Sequence, residues 1–245
     1  MIRIARVTLH STTTDRLSDL TNKISAVRRA ERVASARAFW RTNSAVKASL
    51  REALAYMAPG VQRCMYCGDS LGADIDHFDP LSRSPLRTFD WLNHLLACSV
   101  CNSHQKRDRF PVDDRGSPLL VDPTSEDPFD HLLLSLSVGE YRALTPKGTA
   151  TIEVFGLNRA LLVRGREQAR RVVVASLRGW ERARARDNEP DMEECVLTIR
   201  EQPFADVCHA MLRQADVPRA EIVFGRDSDV LPTLRDPRLR ACLAR

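Results

Sequence analysis

Residues 64–102, CMYCGDSLGADIDHFDPLSRSPLRTFDWLNHLLACSVCN, hold two Cys-x-x-Cys pairs. Cys64 and Cys67 form the first pair, Cys98 and Cys101 form the second, and 30 residues separate the pairs. Each spacing lets the backbone turn so that two thiolates meet one cation, and two such turns complete a closed tetrahedral zinc site. A redox-active dithiol is the alternative for either pair alone, but it requires a strand–helix–strand setting that the residues around Cys64 lack. Together the pairs predict one structural zinc ion.

Asp76 and His77 stand side by side between the cysteine pairs, in GADIDHFDP (72–80), which predicts a short strand running into a turn. An imidazole titrates in the range needed to take a proton from water. A carboxylate can hold the hard divalent cation that phosphodiester hydrolysis uses. A solvated acidic loop is the plain alternative. Because neighbouring strand residues face opposite sides, a shared site for Asp76 and His77 requires a local twist or a strand end.

The order of these residues resembles the HNH endonuclease family, the zinc-bearing ββα-metal nucleases, over residues 62–111. The resemblance implies that His77 is the general base and that Asp76 and Asn102 bind a catalytic Mg²⁺ or Mn²⁺ ion. It also implies that Asn93 braces the loop that orients the histidine, and that the four cysteines bind structural zinc. Two features depart from the family pattern: the third motif position is Asn102 rather than histidine, and the Gly-Gly that commonly follows the Asp-His turn is missing.

The residues after this motif also resemble the HNH proteins of bacterial anti-phage systems of the Septu type. The resemblance rests on repeated Asp-Pro pairs, on a hairpin glycine and on LNRALLVRGR, residues 157–166. It implies that the chain acts in phage defence, beside an ATPase partner. The resemblance to the HNH family therefore implies a metal-dependent endonuclease that hydrolyses phosphodiester bonds in double-stranded DNA.

Two other functions remain open on the same residues. One is a non-catalytic zinc-ribbon module that binds nucleic acid or scaffolds a complex, although such a module has no need of Asp76, His77 and Asn102 together. The other is an RNA-cleaving toxin on the same fold.

Three further sets of side chains have two possible roles each. His104 is the rival for the third motif position, and His94 either packs or touches phosphate. The Cys208-His209 pair either binds metal or lies on an amphipathic helix.

The predicted architecture is α+β and mostly helical, with a zinc-stapled ββα module between helical N- and C-terminal regions. The predicted regions are residues 1–61, 62–111 and 112–245. Apolar spacing and turn signals predict these elements: a short strand over 2–9, a helix over 14–39, a second helix capped by Ser44 and stopped at Pro59-Gly60, a hairpin turning at Val138-Gly139-Glu140, a long helix over 158–186, and shorter helices towards the C-terminus.

Charge is distributed unevenly along the chain. The whole sequence has a formal net charge of +5, whereas residues 1–63 hold 12 Lys or Arg against four acidic residues. Such a surplus suits a nucleic-acid partner, although an Arg-rich soluble face is the plain alternative. Candidate phosphate contacts are the side chain of Lys106, which otherwise covers the zinc module, and a stripe on the long helix: Arg164, Arg171, Arg178 and Arg182.

Composition limits the class of protein further. Hydrophobic residues make up 43% of the chain and charged residues 28%, which is ordinary for a globular protein. No apolar run approaches the roughly 20 residues that a membrane span requires, and the first residues lack a signal-peptide core. We therefore expect a cytoplasmic protein without a membrane partner, in which seven cysteines are not a disulfide framework.

Overall fold

Helices dominate the described part of the chain, where both sheets are single antiparallel strand pairs. A computed structural model describes residues 1–243. The helices are α1 (Ser11–Ala26), α2 (Arg32–Thr42), α3 (Ser44–Met57), α4 (Pro146–Phe155), α5 (Ala160–Arg184), α6 (Glu189–Glu201), α7 (Ala205–Gln214), α8 (Ala220–Phe224), α9 (Leu231–Arg235) and α10 (Pro237–Leu243). The strands are β1 (Asp74–His77), β2 (His94–Ala97), β3 (Leu132–Leu134) and β4 (Tyr141–Ala143). The mostly helical α+β prediction is confirmed, and no helix of the described residues is long and apolar enough to cross a membrane.

The N-terminal helices pack around a small core of their own. The single helix predicted over 14–39 is wrong, because the chain is extended at Val27 and Arg28 and divides it into α1 and α2. Because α2 starts in a new direction after the break, Ala36 packs in the core that α1 and α3 form. The buried members of this core are Leu17, Leu20, Ile24, Ala36, Val46, Leu50 and Phe89.

Two local predictions for this region also need correction. The segment 2–9 is not a strand: its backbone bond is from the amide of Ile4 to the carbonyl of Pro123, and the described residues provide no strand to pair with it. Ser44 is not the N-cap but the first residue of α3, and Asn43 precedes it. Alternating apolar residues and a serine are local signals, and they do not specify which partners the backbone finds. The predicted stop is confirmed, since α3 ends at Met57.

The cysteine-bearing segment folds as two strands followed by a short helix. Strands β1 and β2 pair in the register Asp74↔Ala97 to His77↔His94. The chain then turns through residues 100–106 in a wide π-type helix, in which the amide of Arg107 bonds the carbonyl of Asn102 at 2.8 Å. Helical turns of this kind are rare and occur frequently at functional sites.

The C-terminal region packs directly against this segment. The predicted hairpin is confirmed as β3 and β4, and the predicted long helix is confirmed as the 25-residue α5. Phe155 of α4 stacks on Tyr66 with ring centroids 3.9 Å apart. One apolar core therefore runs from the cysteine segment into α4–α7, and it fixes the back of the candidate site.

Candidate metal centre and catalytic site

Four buried cysteines converge at one end of the β1–β2 pair. Their sulfur atoms all lie within 4.8 Å of one another, and the sulfurs of Cys67 and Cys98 are 3.9 Å apart. A tetrahedral zinc ion with Zn–S bonds of about 2.3 Å requires sulfurs separated by about 3.8 Å. The predicted set, Cys64, Cys67, Cys98 and Cys101, is therefore brought together in a cluster that could hold a zinc ion.

Local backbone geometry builds both halves of the cluster. The amide of Gly68 bonds the carbonyl of Cys64 at 2.9 Å, and Gly68 adopts a φ of +72°, which closes the turn behind Cys67. In the second half the amide of Cys101 points at the sulfur of Cys98. Burial raises the pKa of the Cys64 thiol well above its usual range, so a thiolate there requires a bound cation.

Asp76 lies inside the protein, on the face of β1 towards α4. Its side chain is 3% exposed, and both carboxylate oxygens have a donor. The Tyr66 hydroxyl donates to Oδ2 at 2.5 Å, and the Lys106 ammonium donates to Oδ1 at 2.9 Å. Lys106 is 0% exposed and also donates to the carbonyl of His77. Its ammonium is therefore not on the surface, and the predicted contact with a phosphate is not available in this conformation.

His77 follows Asp76 in β1 and points to the other side of the strand pair. Its Nε2 lies 3.0 Å from the carbonyl of Thr88, which can only accept, so Nε2 carries the proton and Nδ1 keeps a free lone pair. The ring of Trp40 on α2 meets the imidazole edge-on at a centroid distance of 4.5 Å. Burial lowers the pKa of His77, which keeps the ring neutral and able to accept a proton.

A second imidazole lies against the first. His94 faces His77 across the strand pair at 5.0 Å, stacks on Trp40 at 5.4 Å and shares the carbonyl of Thr88, with its Nε2 2.9 Å away. It is fully buried, its Nδ1 has no hydrogen-bond partner, and burial lowers its pKa well below the usual value. Of the two alternatives for His94, the structure favours packing over contact with phosphate.

Asn93 ties the ends of the loop between β1 and β2. Its Oδ1 accepts from the amide of Asp79 at 2.8 Å, and its Nδ2 donates to the carbonyls of Asp79 and Arg87, at 3.0 Å each. The side chain is fully buried, so these bonds are shielded from water. Thr88 belongs to the same loop, and Asn93 therefore holds in place the carbonyl that positions both histidines.

Asn102 stands in the first turn of the π-type helix and contacts Asp74 rather than Asp76. Its Nδ2 donates to Oδ2 of Asp74 at 3.3 Å. Asp74 and Asp76 share a face of β1, because they are two residues apart. Carboxylate and amide oxygens are the right donors for Mg²⁺ or Mn²⁺. In this conformation, however, Asp76 and Asn102 do not form a site for a divalent cation, because the ammonium of Lys106 is paired with the Asp76 carboxylate.

Within residues 1–243, the four cysteines are the one group of three or more His, Cys, Asp or Glu side chains whose ligand atoms lie close enough together to hold a metal ion. The Cys208-His209 pair therefore shows no metal site among the described residues, and it lies on α7. Cys208 is buried, as the packing alternative predicts. His104 is exposed, and its Nδ1 contacts the carbonyl of Ser99 at 3.2 Å.

The predicted arginine stripe on α5 is not uniform. Arg178 pairs with Asp229 at 2.7 Å and with Asp227 at 3.2 Å, so carboxylates of the same chain already neutralise its charge. Arg164, Arg171 and Arg182 are exposed and remain candidate contacts for nucleic acid. The stripe pattern alone could not distinguish paired from free arginines, because the aspartates come from a short 3₁₀ helix, Gly225–Val230, about 50 residues later in the chain.

Three residues of the site were not found by sequence reasoning. Tyr66 lies between the first two cysteines, so an aromatic residue inside that pair was an available signal. Trp40 lies on α2, far along the chain, and its role depends on packing. Thr88 acts through its backbone carbonyl, which no side-chain pattern reveals.

Comparisons with known proteins give a partial relationship. No family model matches this chain, and no solved structure matches it. The Septu protein PtuB of Bacillus mycoides (strain KBAB4) is 24% identical over 134 aligned residues, which cover 42% of this chain and 45% of that protein. The chain thus matches less than half the length of this relative.

Proposed function

We propose that this chain is a metal-dependent HNH-type endonuclease that hydrolyses phosphodiester bonds in DNA and acts in bacterial anti-phage defence. The observation that carries the proposal is the state of His77. Burial lowers its pKa and so favours the neutral ring, one nitrogen is held by a backbone carbonyl, and Nδ1 has no hydrogen-bond partner among the described residues. An imidazole arranged in this way can act as a general base towards water.

The residues around His77 have defined roles in this proposal. Nδ1 accepts a proton from water as the water oxygen attacks the phosphorus, and the Thr88 carbonyl keeps the other nitrogen protonated. Trp40 limits rotation of the ring by packing on its edge. A bound Mg²⁺ or Mn²⁺ ion would neutralise charge at the leaving oxygen, with Asp76 and Asn102 as its proposed ligands. Because Asp76 and His77 point to opposite sides of β1, Lys106 has to leave Asp76 and the end of the strand has to twist before that carboxylate can bind an ion beside His77.

The partial similarity to a Septu protein supports the defence role. An ATPase subunit of such a system is the proposed partner, and double-stranded DNA is the proposed substrate. The structural zinc at the four cysteines would hold β1, β2 and the π-type helix together, since these short elements carry the site residues.

A specific observation favours a second candidate, the non-catalytic module that binds nucleic acid or scaffolds a complex. Asp76 has both oxygens occupied by Lys106 and Tyr66, and it faces away from His77. A chain that uses these residues only to stabilise the strand pair has no need of a divalent cation at Asp76.

Cleavage assays with the purified, zinc-loaded chain decide between these functions. Supercoiled plasmid and total RNA are incubated separately with Mg²⁺ or Mn²⁺, alone and with lysate from cells that express a Septu-type ATPase, the proposed partner. Nicking or linearising of the plasmid supports the DNA endonuclease. Degradation of RNA alone identifies the toxin alternative, and binding without cleavage under every condition identifies the scaffold.

A further inference from the structure

Helices α2 and α3 carry a run of positive charge that contains no acidic residue and is bounded by Glu31 and Glu52. Residues 32–51 contain five Lys or Arg and no Asp or Glu. In the described part of the chain none of these five forms an ion pair with a carboxylate, and Arg37, Arg41 and Arg51 are exposed. Like charges held together without counter-ions repel each other, and a polyanion relieves that repulsion.

Four of these cations form a continuous surface. Arg37 and Arg41 are one helical turn apart on α2, as Lys47 and Arg51 are on α3, a rise of about 6 Å in each case. The two pairs meet where the helices join, because Nζ of Lys47 lies 3.4 Å from the carbonyl of Arg41. We call Arg37, Arg41, Lys47 and Arg51 the α2–α3 cationic surface.

This surface adjoins the candidate base. Trp40 lies between Arg37 and Arg41 in the sequence, and its ring contacts the imidazole of His77. The Lys47 ammonium lies 6.0 Å from the centre of the same ring, on the side of α3. A phosphate backbone that follows these cations therefore passes next to His77.

Unlike the cations of α2 and α3, several arginines of α5 are paired with carboxylates. Arg170, Arg178 and Arg184 each pair with at least one carboxylate, and Glu167 and Glu181 lie on the same helix. The free cations left on α5 in the described structure are separated by these acidic groups. A helix whose cations are partly neutralised by ion pairs attracts a polyanion less strongly than a run of unpaired cations.

We infer that the α2–α3 cationic surface, rather than the α5 stripe, binds the phosphate backbone of duplex DNA and leads it to His77. Its contacts are to phosphates, so it binds all duplex sequences alike. The part of this inference that concerns His77 rests on the proposed function, because the surface contributes to catalysis only if His77 acts on the bound strand. Binding itself can be measured without cleavage.

The test compares two triple variants of equal charge. Arg37→Gln/Arg41→Gln/Arg51→Gln alters the proposed surface, and Arg164→Gln/Arg171→Gln/Arg182→Gln alters the rival one; each lowers the formal net charge from +5 to +2. All six arginines are exposed, and glutamine is a good helix former, so both variants should fold. The binding of a labelled random-sequence duplex is measured by fluorescence anisotropy between about 50 and 200 mM salt, in a His77→Ala background and without added divalent cation, so that the duplex stays intact.

The α2–α3 triple should make the salt slope shallower by about 2.7 and weaken binding on the order of 10²-fold at about 0.1 M salt. The α5 triple should change affinity far less. Equal weakening by both triples, or greater weakening by the α5 triple, overturns the inference, as does tighter binding of duplex or single-stranded RNA competitor than of DNA. Wild-type chain that binds duplex through this surface and never cleaves leaves the inference standing and removes the nuclease proposal instead.

Discussion

Lys106 and Asp76 form a buried ion pair, with Nζ 2.9 Å from Oδ1 and neither side chain more than 3% exposed. The lysine reaches the carboxylate from the π-type helix, across 30 residues of sequence. Its ammonium holds the position at Asp76 that the proposed catalytic cation would need. The ion pair thus stabilises the β1–β2 sheet and, at the same time, opposes the binding of a divalent cation to Asp76.

Replacing Lys106 with methionine should lower the free energy of unfolding by about 3–5 kcal/mol, because it leaves a buried carboxylate without its partner. The double variant Asp76→Asn/Lys106→Met should recover part of that loss, since both charges are then gone. Urea unfolding of zinc-loaded protein measures both values. An unchanged midpoint for Lys106→Met would show that the pair is not formed in solution.

The same lysine should compete with a divalent cation. Lys106→Met should bind Mn²⁺ more tightly than the wild type, because Asp76 is then free, and Asp76→Ala should bind it more weakly. Asn102→Ala should resemble Asp76→Ala but act more mildly, since a neutral amide contributes less to holding a dication. Electron paramagnetic resonance of free Mn²⁺ gives the affinities without reference to cleavage. Equal affinity in all four proteins would remove Asp76 from the list of ligands.

Zinc should be lost when its cysteine site is broken. Cys98→Ser should leave the protein insoluble or free of zinc, because a structural zinc site supplies folding free energy directly. Cys195→Ser is the matched control, since Cys195 lies on α6, outside the cluster. Elemental analysis of the purified proteins measures the zinc content. A soluble Cys98→Ser protein with full activity and no zinc would contradict the assignment.

His77→Ala should lower the cleavage rate on the order of 10²–10⁴-fold, the usual cost of losing a general base. Zinc content and duplex binding should persist, because the thiolate cluster and the α2–α3 cationic surface do not include this side chain. His10→Ala is the matched control, because His10 is an exposed histidine outside the cysteine-bearing module. Plasmid nicking under Mg²⁺ or Mn²⁺ measures the rate, and equal rates for the two variants would exclude His77 as the base.

Stability should fall as the pH drops below about 6.5. Burial lowers the pKa of His94 in the folded protein, so the unfolded chain binds the proton first and the folded state is destabilised as the pH falls. Above the unfolded pKa this contribution to stability is fully present. His94→Gln should reduce the slope of unfolding free energy against pH by up to about 1.4 kcal/mol per unit. The same slope in both proteins would mean that His94 is not buried.

Local sequence signals predicted the elements whose formation depends on near neighbours. The two Cys-x-x-Cys turns, the hairpin and the 25-residue α5 follow from spacing and apolar period, and all three were correct. The same signals failed where packing decides. Apolar spacing continued through Val27, so it predicted one helix, although burying Ala36 required a break.

The sequence by itself determined that four cysteines could share a cation and that Asp76 and His77 adjoin. Only the tertiary structure decided what these residues face. It placed Lys106 on Asp76, Trp40 on His77, and Asp227 and Asp229 on Arg178, while leaving the arginines of α2 without carboxylate partners in the described chain. The physical reason is one of range. Turns and helix faces depend on residues within about one turn, whereas ion pairing and burial depend on which distant segments pack together.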